Sequence, residues 1–448
     1  MADPTWAGRP VERVAVVGAG LAGCLLAALL GRRGVAVDLY ERRPDPRTAG
    51  AERGRSINLA ISARGLDALD RVGLAEQALA DALPMRGRTL HAPDGGLGFQ
   101  SYSADGTRAI NSISRARLNH ALLDCAEKTP GVALHFTHRL DGVDPVTGEM
   151  DFGGHPAHGT RRADVVIGAD GAYSAVRRAV QFVEGFDYRQ DFLPHGYKEL
   201  RIPPTAAGDF ALDPGSLHIW PRGSSMMIAL PNTDRSFTCT LFWPKDGPGG
   251  FAALDAPQKV TAYFAAHYPD AVPLMPTLAD DFLHNPVGSL VTVRCAPWVR
   301  GRVALLGDAA HAIVPFFGQG ANCAFEDCVE LDRCLDDADG DVGAALPLYE
   351  QRRKANAEAI ADMALENFVE MSDRVNSRVF RATTRARHAL ERVVPGYVSR
   401  YELVSFTTVP YSRIEARIRR QDRLVAGAGL VAGAAGVAGV LLGRRSSS

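Results

Sequence analysis

The apolar positions along the chain fall into short runs separated by small or polar residues. Val11 to Val17 is a compact apolar run, Leu21 to Arg33 is apolar at helical spacing, and Val35 to Tyr40 is a second run. This order predicts strand, helix, strand: a βαβ unit at the N-terminus. Arg64 to Val72 and Arg115 to Lys128 carry helical patterns. Ala163 to Ile167 and Arg302 to Leu306 are short apolar runs that predict buried strands. Between about 187 and 293 the texture changes. Ser216 to Trp220, Ser225 to Leu230 and Ser236 to Trp243 alternate, with Pro and Gly between them. That pattern predicts an antiparallel sheet in a lobe of its own. After Glu326 helical patterns dominate, through Tyr349 to Phe380.

Composition narrows the class without deciding it. A chain of 448 residues with 46% hydrophobic and 23% charged residues can bury a sizeable core over two or three domains. The formal net charge of -1 gives no basic surface suited to nucleic acid. Seven scattered cysteines, with no CxxC pair or zinc-ligand spacing, fit a reduced, cytoplasm-facing protein and no metal site. The N-terminal apolar run is interrupted by glycines, unlike a signal peptide. Residues 424–443 are uncharged, with arginines on both flanks, and match a membrane span in length. Six glycines and six alanines make that stretch only weakly hydrophobic. It is a candidate anchor whose flanks give no orientation.

Gly18-Ala-Gly20-Leu-Ala-Gly23 follows the first strand and opens the first helix, and Glu41 ends the second strand. The glycines allow a tight turn, close approach of a pyrophosphate and close helix–strand packing, while an acid at Glu41 can accept from a ribose. Such a site takes NAD(P) or FAD. The stretch Gly307 to Asn322, "GDAAHAIVPFFGQGAN", favours FAD, because a long dinucleotide needs a second contact far along the sequence. Asp308 at a strand end can accept from ribityl hydroxyls; read alone, it would be an ordinary helix cap. Gly168-Ala-Asp170-Gly171 stands between the two motifs. The fold class expected is α/β (α+β overall): a Rossmann-like FAD-binding domain with an inserted antiparallel-sheet substrate domain and a helical C-terminal region. The expected division is 1–186 and 294–348 for the FAD-binding domain, with a substrate-contacting segment at about 84–112. Residues 187–293 form the sheet domain, 349–423 the helical region, and 424–443 the candidate anchor.

These three motifs together resemble those of the class A flavin-dependent aromatic hydroxylases. Within that class the chain is similar to the kynurenine 3-monooxygenase family. The stretches that carry the likeness are "GRSINLAISARG" (54–65), "MRGRTLH" (85–91), "ISRARLN" (113–119), "LHFTHRL" (134–140), "VPFFGQGAN" (314–322) and "ENFVEM" (366–371). The resemblance implies that Gly18, Gly20, Gly23 and Glu41 hold the adenosine half of FAD. It implies FAD contacts at Ala60, Arg115, Leu140, Asp308, Ala321 and Asn322. It places Arg88 and Tyr102 on the carboxylate of kynurenine, Asn367 and Tyr401 at further substrate contacts, and Phe316, Glu370 and Met371 around the aromatic pocket. No residue is expected to act as a nucleophile or metal ligand.

Residue chemistry agrees with these roles. A guanidinium forks onto a carboxylate, and a phenol donates to one. Asn367 and Glu370 lie one helical turn apart. Two positions depart from the family's pattern: Ala321 where methionine is usual, and Phe368 where tyrosine is frequent. Both bear on ring preference. The activity implied is FAD-dependent, NADPH-using hydroxylation of L-kynurenine to 3-hydroxykynurenine through a flavin C4a-hydroperoxide, within tryptophan degradation and NAD biosynthesis. The implied partners are L-kynurenine, NADPH and O2. With a single βαβ fingerprint, NADPH is expected to visit without a domain of its own. Homodimerisation is left open. The alternatives are a class A hydroxylase of another aromatic acid or a substituted kynurenine, and a membrane-tethered flavoprotein without hydroxylase activity.

Overall fold

The structure is a computed structural model and describes residues 11–48, 58–103, 105–153, 159–223, 225–369 and 397–424. Its centre is a six-stranded sheet in the order Val299–Arg300, Val303–Leu305, Val165–Gly168, Arg13–Val17, Ala36–Tyr40, Val132–His135. Five of these strands run parallel; the edge pair Val299–Arg300 and Val303–Leu305 is antiparallel. Strands covered on both faces must be apolar throughout, and Val14, Ala15, Val16, Val165, Val166 and Leu305 are fully buried. Helix Leu21–Arg32 packs on this sheet through Cys24, Leu25, Leu26 and Ala28. The result is a mixed α/β fold of Rossmann-like type with a helical C-terminal region.

A seven-stranded sheet forms the second layer, in the order Gly288–Ala296, Asp187–Ile202, Phe237–Pro244, Ser225–Pro231, Ser216–Arg222, Gly87–His91, Leu97–Ser101. Its pairs are antiparallel except Ser216–Arg222 with Gly87–His91. Side-chain alternation gives the sheet two working faces. Trp220, Met227, Leu241 and Trp243 meet helices Pro257–His267 and Leu278–His284 in one core. Ile219, Met226 and Phe242 point the other way, towards Val314, Phe316 and Ala364. The two helices were not anticipated inside 187–293. That region is a sheet backed by helices rather than a run of short strands alone.

A third, three-stranded sheet (Asn58–Ile61, Ile110–Ser114, Ala82–Met85) joins the layers, and Asn58 donates to Pro231 O at 3.1 Å across the junction. Helix Val342–Val369 and residues 397–424 close one side, where Ile360, Met363, Leu403, Val404, Tyr411 and Ile414 bury one another. Glu370, Met371 and the candidate anchor beyond Leu424 lie outside the described residues. Among the described residues no helix is long and apolar enough to cross a membrane.

Candidate active site

The Gly18 to Gly23 turn is built for close approach. Gly18 has φ of 106°, and a Cβ there would lie 2.6 Å from Ala169 O. A Cβ on Gly23 would lie 1.9 Å from Gly18 O, so no side chain fits between helix and strand. At Gly20 nothing comes within 4 Å of the same position, which leaves the turn open towards a ligand. Glu41, 7% exposed at the end of its strand, accepts from Ala19 N at 3.1 Å and from Arg43 N and Nε at 3.1 and 2.8 Å. It braces the turn and the entry to the following loop.

Across the parallel sheet the chain leaves Val303–Leu305 into Gly307, whose φ of 59° and ψ of -140° favour glycine. Asp308 follows. Its side chain is exposed yet crowded, as in the wall of a cleft, and it makes no hydrogen bond with the described residues. That crowding pushes its carboxyl above the ordinary value, and the charges of His311 and Arg115 pull partly against it. Arg115, exposed at the first turn of helix Arg115–Lys128, therefore lies near Asp308. The Asp170 motif supports the same turn indirectly. Asp170 accepts from Ala175 N at 2.6 Å, and Arg177 in the helix so capped donates to Ala309 O at 2.8 Å. A glycine cradle, an unpaired acid at the strand end and a nearby arginine fit the phosphates and polyol of FAD.

The remaining cofactor residues fall into place unequally. Helix Gly320–Asp337 starts at Ala321 and Asn322, where the first-turn amides have no intrahelical partners. The Asn322 side chain is fully buried and committed to protein. It donates to Ala60 O at 2.8 Å and Gly318 O at 2.9 Å, and accepts from Ser62 N at 3.0 Å. It thus locks the Ala60 strand end to the helix start and leaves the backbone as its means of touching a ligand. Leu140 is 5% exposed, with its side chain in the main core.

A buried charge network stands behind this wall, and sequence reading missed it. Asp327 accepts from Gly307 N at 3.0 Å, His311 Nε2 at 2.6 Å and Arg353 Nε at 2.7 Å. Arg353 also donates to Glu326 at 2.8 Å, and Glu326 pairs with Arg64, which lies over the Tyr411 ring. Burial would lower His311, but the Asp327 charge carries it well above its ordinary value; burial would raise Asp327, but His311 and Arg353 hold it below. His311, Cys323 and Asp327 come close enough to hold a metal ion. Arg353, however, bonds both Asp327 and Cys323 Sγ, so a positive charge already stands there. Adjacent acids in a helix, Glu326 and Asp327, were the available sequence signal. Such a pair carries no local sign of burial.

The residues expected to meet substrate, where described, gather at the inner face of the seven-stranded sheet. Arg88 sits on Gly87–His91, and Tyr102 lies just past Leu97–Ser101. The Arg88 guanidinium is 5.3 Å from the centre of the Tyr401 ring, which stacks on Tyr102 at 5.0 Å. Arg88 Nε is buried without a partner. Burial pushes both phenols up, so they remain protonated donors. Leu217 and Ile228 connect this polar end to a packed apolar cluster. There Phe316 meets Phe242 at 5.0 Å and Phe368 at 4.5 Å, and His195 meets Phe368 edge-on at 5.0 Å. Asn367 donates to Phe316 O at 2.8 Å, so it positions the aromatic wall. Phe242 and His195 pack in the same cluster and were not singled out by the motifs; Phe368 was noted only as a departure from the family's pattern.

Residues 12–364 match the FAD binding domain family model. The chain is 47% identical over 443 residues to a kynurenine 3-monooxygenase of Salinispora tropica, covering 97% of this chain and 98% of that one. It is 50% identical over 405 residues to the Myxococcus xanthus kynurenine 3-monooxygenase, with coverages of 89% and 87%. The chain belongs to the kynurenine 3-monooxygenase family. A relative in Dictyostelium discoideum is 45% identical over 413 residues, with 89% of each chain covered. Among solved structures, 2-methyl-3-hydroxypyridine-5-carboxylic acid oxygenase superposes with a TM-score of 0.67 at 21% identity, covering 82% of this chain and 94% of that one. A probable FAD-dependent monooxygenase from Pseudomonas aeruginosa gives 0.65 at 19% identity, with coverages of 84% and 99%. These likenesses support the fold. Family membership carries with it an FAD-dependent monooxygenase.

Proposed function

We propose that this chain hydroxylates the ring of L-kynurenine, using NADPH and O2, to give 3-hydroxykynurenine. The observation that carries the reading is Arg88, whose Nε has no hydrogen-bond partner among the described residues, beside the Tyr102–Tyr401 stack and at one end of a cluster of rings and aliphatic groups. A guanidinium at the edge of an aromatic cluster suits a molecule with a carboxylate at one end and an aromatic ring at the other.

Bound FAD would supply the redox chemistry that passes electrons from NADPH to O2. Gly18, Gly20, Gly23 and Glu41 would hold its adenosine half, with Ala60, Arg115, Leu140, Asp308, Ala321 and Asn322 along the rest. The protein's own part is placement. Arg88 and Tyr102 fix the substrate carboxylate, and Tyr401 closes over it. Phe316, held by Asn367, limits the position of the aniline ring. The Phe242, Phe316 and Phe368 rings keep water from the reacting carbon. No side chain need exchange a covalent bond with substrate.

The test is direct. The purified protein should be yellow, should oxidise NADPH faster when L-kynurenine is added, and should release 3-hydroxykynurenine. NADPH oxidation stimulated instead by another aromatic acid, or not stimulated by kynurenine, would overturn the reading.

A further inference from the structure

The seven-stranded sheet brings one more polar side chain to the carboxylate end. Gln100 lies directly opposite Arg88 in the antiparallel pair of Gly87–His91 with Leu97–Ser101. Residues opposite one another in such a pair share a face, with Cβ atoms about 4.5–5.5 Å apart. The neighbouring positions verify the parity. A Cβ on Gly87 would meet the Phe99 ring at 2.5 Å, so Gly87 and Phe99 belong to the other face. Phe99 is 60% exposed, whereas Gln100 is half-buried. Gln100 therefore stands on the covered side, beside Arg88 and two residues before Tyr102. Its amide makes no hydrogen bond with the described residues.

The chemistry of the ligand gives this position a task. An amino acid presents a carboxylate and an ammonium on one carbon. The carboxylate needs donors, and Arg88 has donors alone. Tyr102 and Tyr401 are kept protonated by burial and also donate, and the accepting capacity of these phenols is partly taken up by their bond to one another. The ammonium needs an acceptor. Glu402, the nearby acid on helix Arg400–Phe406, is already paired with Arg108 at 2.7 Å. Gln100, opposite Arg88 in the pair, offers a carbonyl oxygen on the same face as the guanidinium, within reach of an ammonium one carbon away from a carboxylate held there.

We propose that Gln100 is a specificity-determining residue that accepts a hydrogen bond from the α-ammonium group of the substrate, and so selects an α-amino acid over a simple aromatic keto acid. This rests on the kynurenine reading of the site. The amide keeps its acceptor uncharged, so it does not compete with the substrate carboxylate for Arg88.

The experiment compares L-kynurenine with desamino-kynurenine in the wild-type holoenzyme and in the Gln100→Leu and Gln100→Glu variants. In Gln100→Leu, the KM for L-kynurenine should rise about tenfold or more, as expected for a lost hydrogen bond to a charged group. The KM for desamino-kynurenine should stay within about twofold, and kcat and bound FAD should be retained. Gln100→Glu keeps an acceptor for the ammonium but adds a charge that competes for Arg88, so the KM should rise for both compounds while the preference for L-kynurenine is kept. In Gln100→Leu, equal losses for both compounds, or none, would overturn the proposal. Should Gln100→Leu fail to hold FAD, Gln100→Glu and wild type still decide. The wild type must then prefer the amino acid, and the glutamate must preserve or strengthen that preference. A wild-type enzyme that ignores L-kynurenine altogether would refute the underlying reading instead.

Discussion

Replacing Arg88 by lysine keeps a positive charge and removes the planar fork. The Nε that has no protein partner disappears, and a single ammonium cannot meet both carboxylate oxygens from the same backbone position. Loss of one charged hydrogen bond corresponds to about 1.5–3 kcal/mol, or roughly one to two decades in the kynurenine dissociation constant. FAD content should not change, because Arg88 lies on the sheet away from the glycine turn. An unchanged dissociation constant would remove Arg88 from the site. Asp308 predicts a pH effect on cofactor binding. Its crowded carboxyl titrates above the ordinary value in the protein without FAD, and ribityl hydroxyls donate better to the ionised form. FAD should therefore bind more tightly as pH rises through that raised value, by roughly tenfold, the difference between neutral and charge-assisted hydrogen bonds. In the apoprotein the same shift acts on stability with the opposite sign. Ionisation costs more in the fold than in the unfolded chain, so this contribution is present below the ordinary carboxylate value and is lost as pH rises towards the folded one. Flavin fluorescence titrations of wild type and Asp308→Asn across the acid range test both parts; an equal pH slope in the two proteins would place the effect elsewhere.

At the scale of elements, the helix Gly320–Asp337 and the turn after Val303–Leu305 are held together by ions rather than by apolar packing alone. Arg353 is 2% exposed and bonded to both Glu326 and Asp327. Arg353→Met would leave two buried acids short of a partner, a loss of about 3–5 kcal/mol. Chemical denaturation should show that loss, and the triple variant Arg353→Met, Glu326→Gln, Asp327→Asn should recover part of it. A single variant as stable as wild type would mean that water already serves these acids. This network also shows where sequence reading stops. Helices Ala63–Arg71 and Arg115–Lys128 were legible because their apolar spacing is local. So were four of the five parallel strands, because strands buried on both faces are mostly apolar; Val132–His135, at the edge and only half-buried, was not read as one. The union of Gly87–His91 with Ser216–Arg222 was not legible, since that pairing joins residues more than a hundred positions apart and leaves no local period. Helices Pro257–His267 and Leu278–His284 sit among prolines and glycines that punctuated the region as turns. Gly18 and Gly23 were legible, since the tight turn and the close helix–strand approach leave no room for a side chain; Asp308 stood out only beside the N-terminal glycine motif. Glu326, Asp327 and Arg353 carry no local sign of their network, because burial is a tertiary fact.

For the whole molecule, the site is assembled from parts far apart in sequence and closed last by residues 397–424. Tyr401 supplies the ring over Arg88 and Tyr102, and Phe406 packs on the same aromatic group at 6.3 Å from Tyr102. Tyr411 donates to Gln319 at 2.9 Å, and Gln319 sits in the turn just before helix Gly320–Asp337. The closing segment therefore touches the substrate end and the start of that helix at once. A chain ended after Leu424 keeps every described element of both ends. It should bind FAD and hydroxylate kynurenine as the full chain does. A chain ended after residue 396 should still fold its parallel sheet, whose core is complete without the segment. It would lose the Tyr401 wall and admit water to the site, so NADPH consumption should be diverted from hydroxylated product to hydrogen peroxide. Tyr401→Ala in the full chain separates wall from scaffold: it should lower stability through the lost packing, yet show the same diversion while still folded and holding FAD. Peroxide and product, measured per NADPH consumed, decide the matter. Tight coupling in both the shorter truncation and Tyr401→Ala would show that the segment is not part of the enclosure. A loss of coupling on ending the chain after Leu424 would extend the enclosure into the residues beyond it.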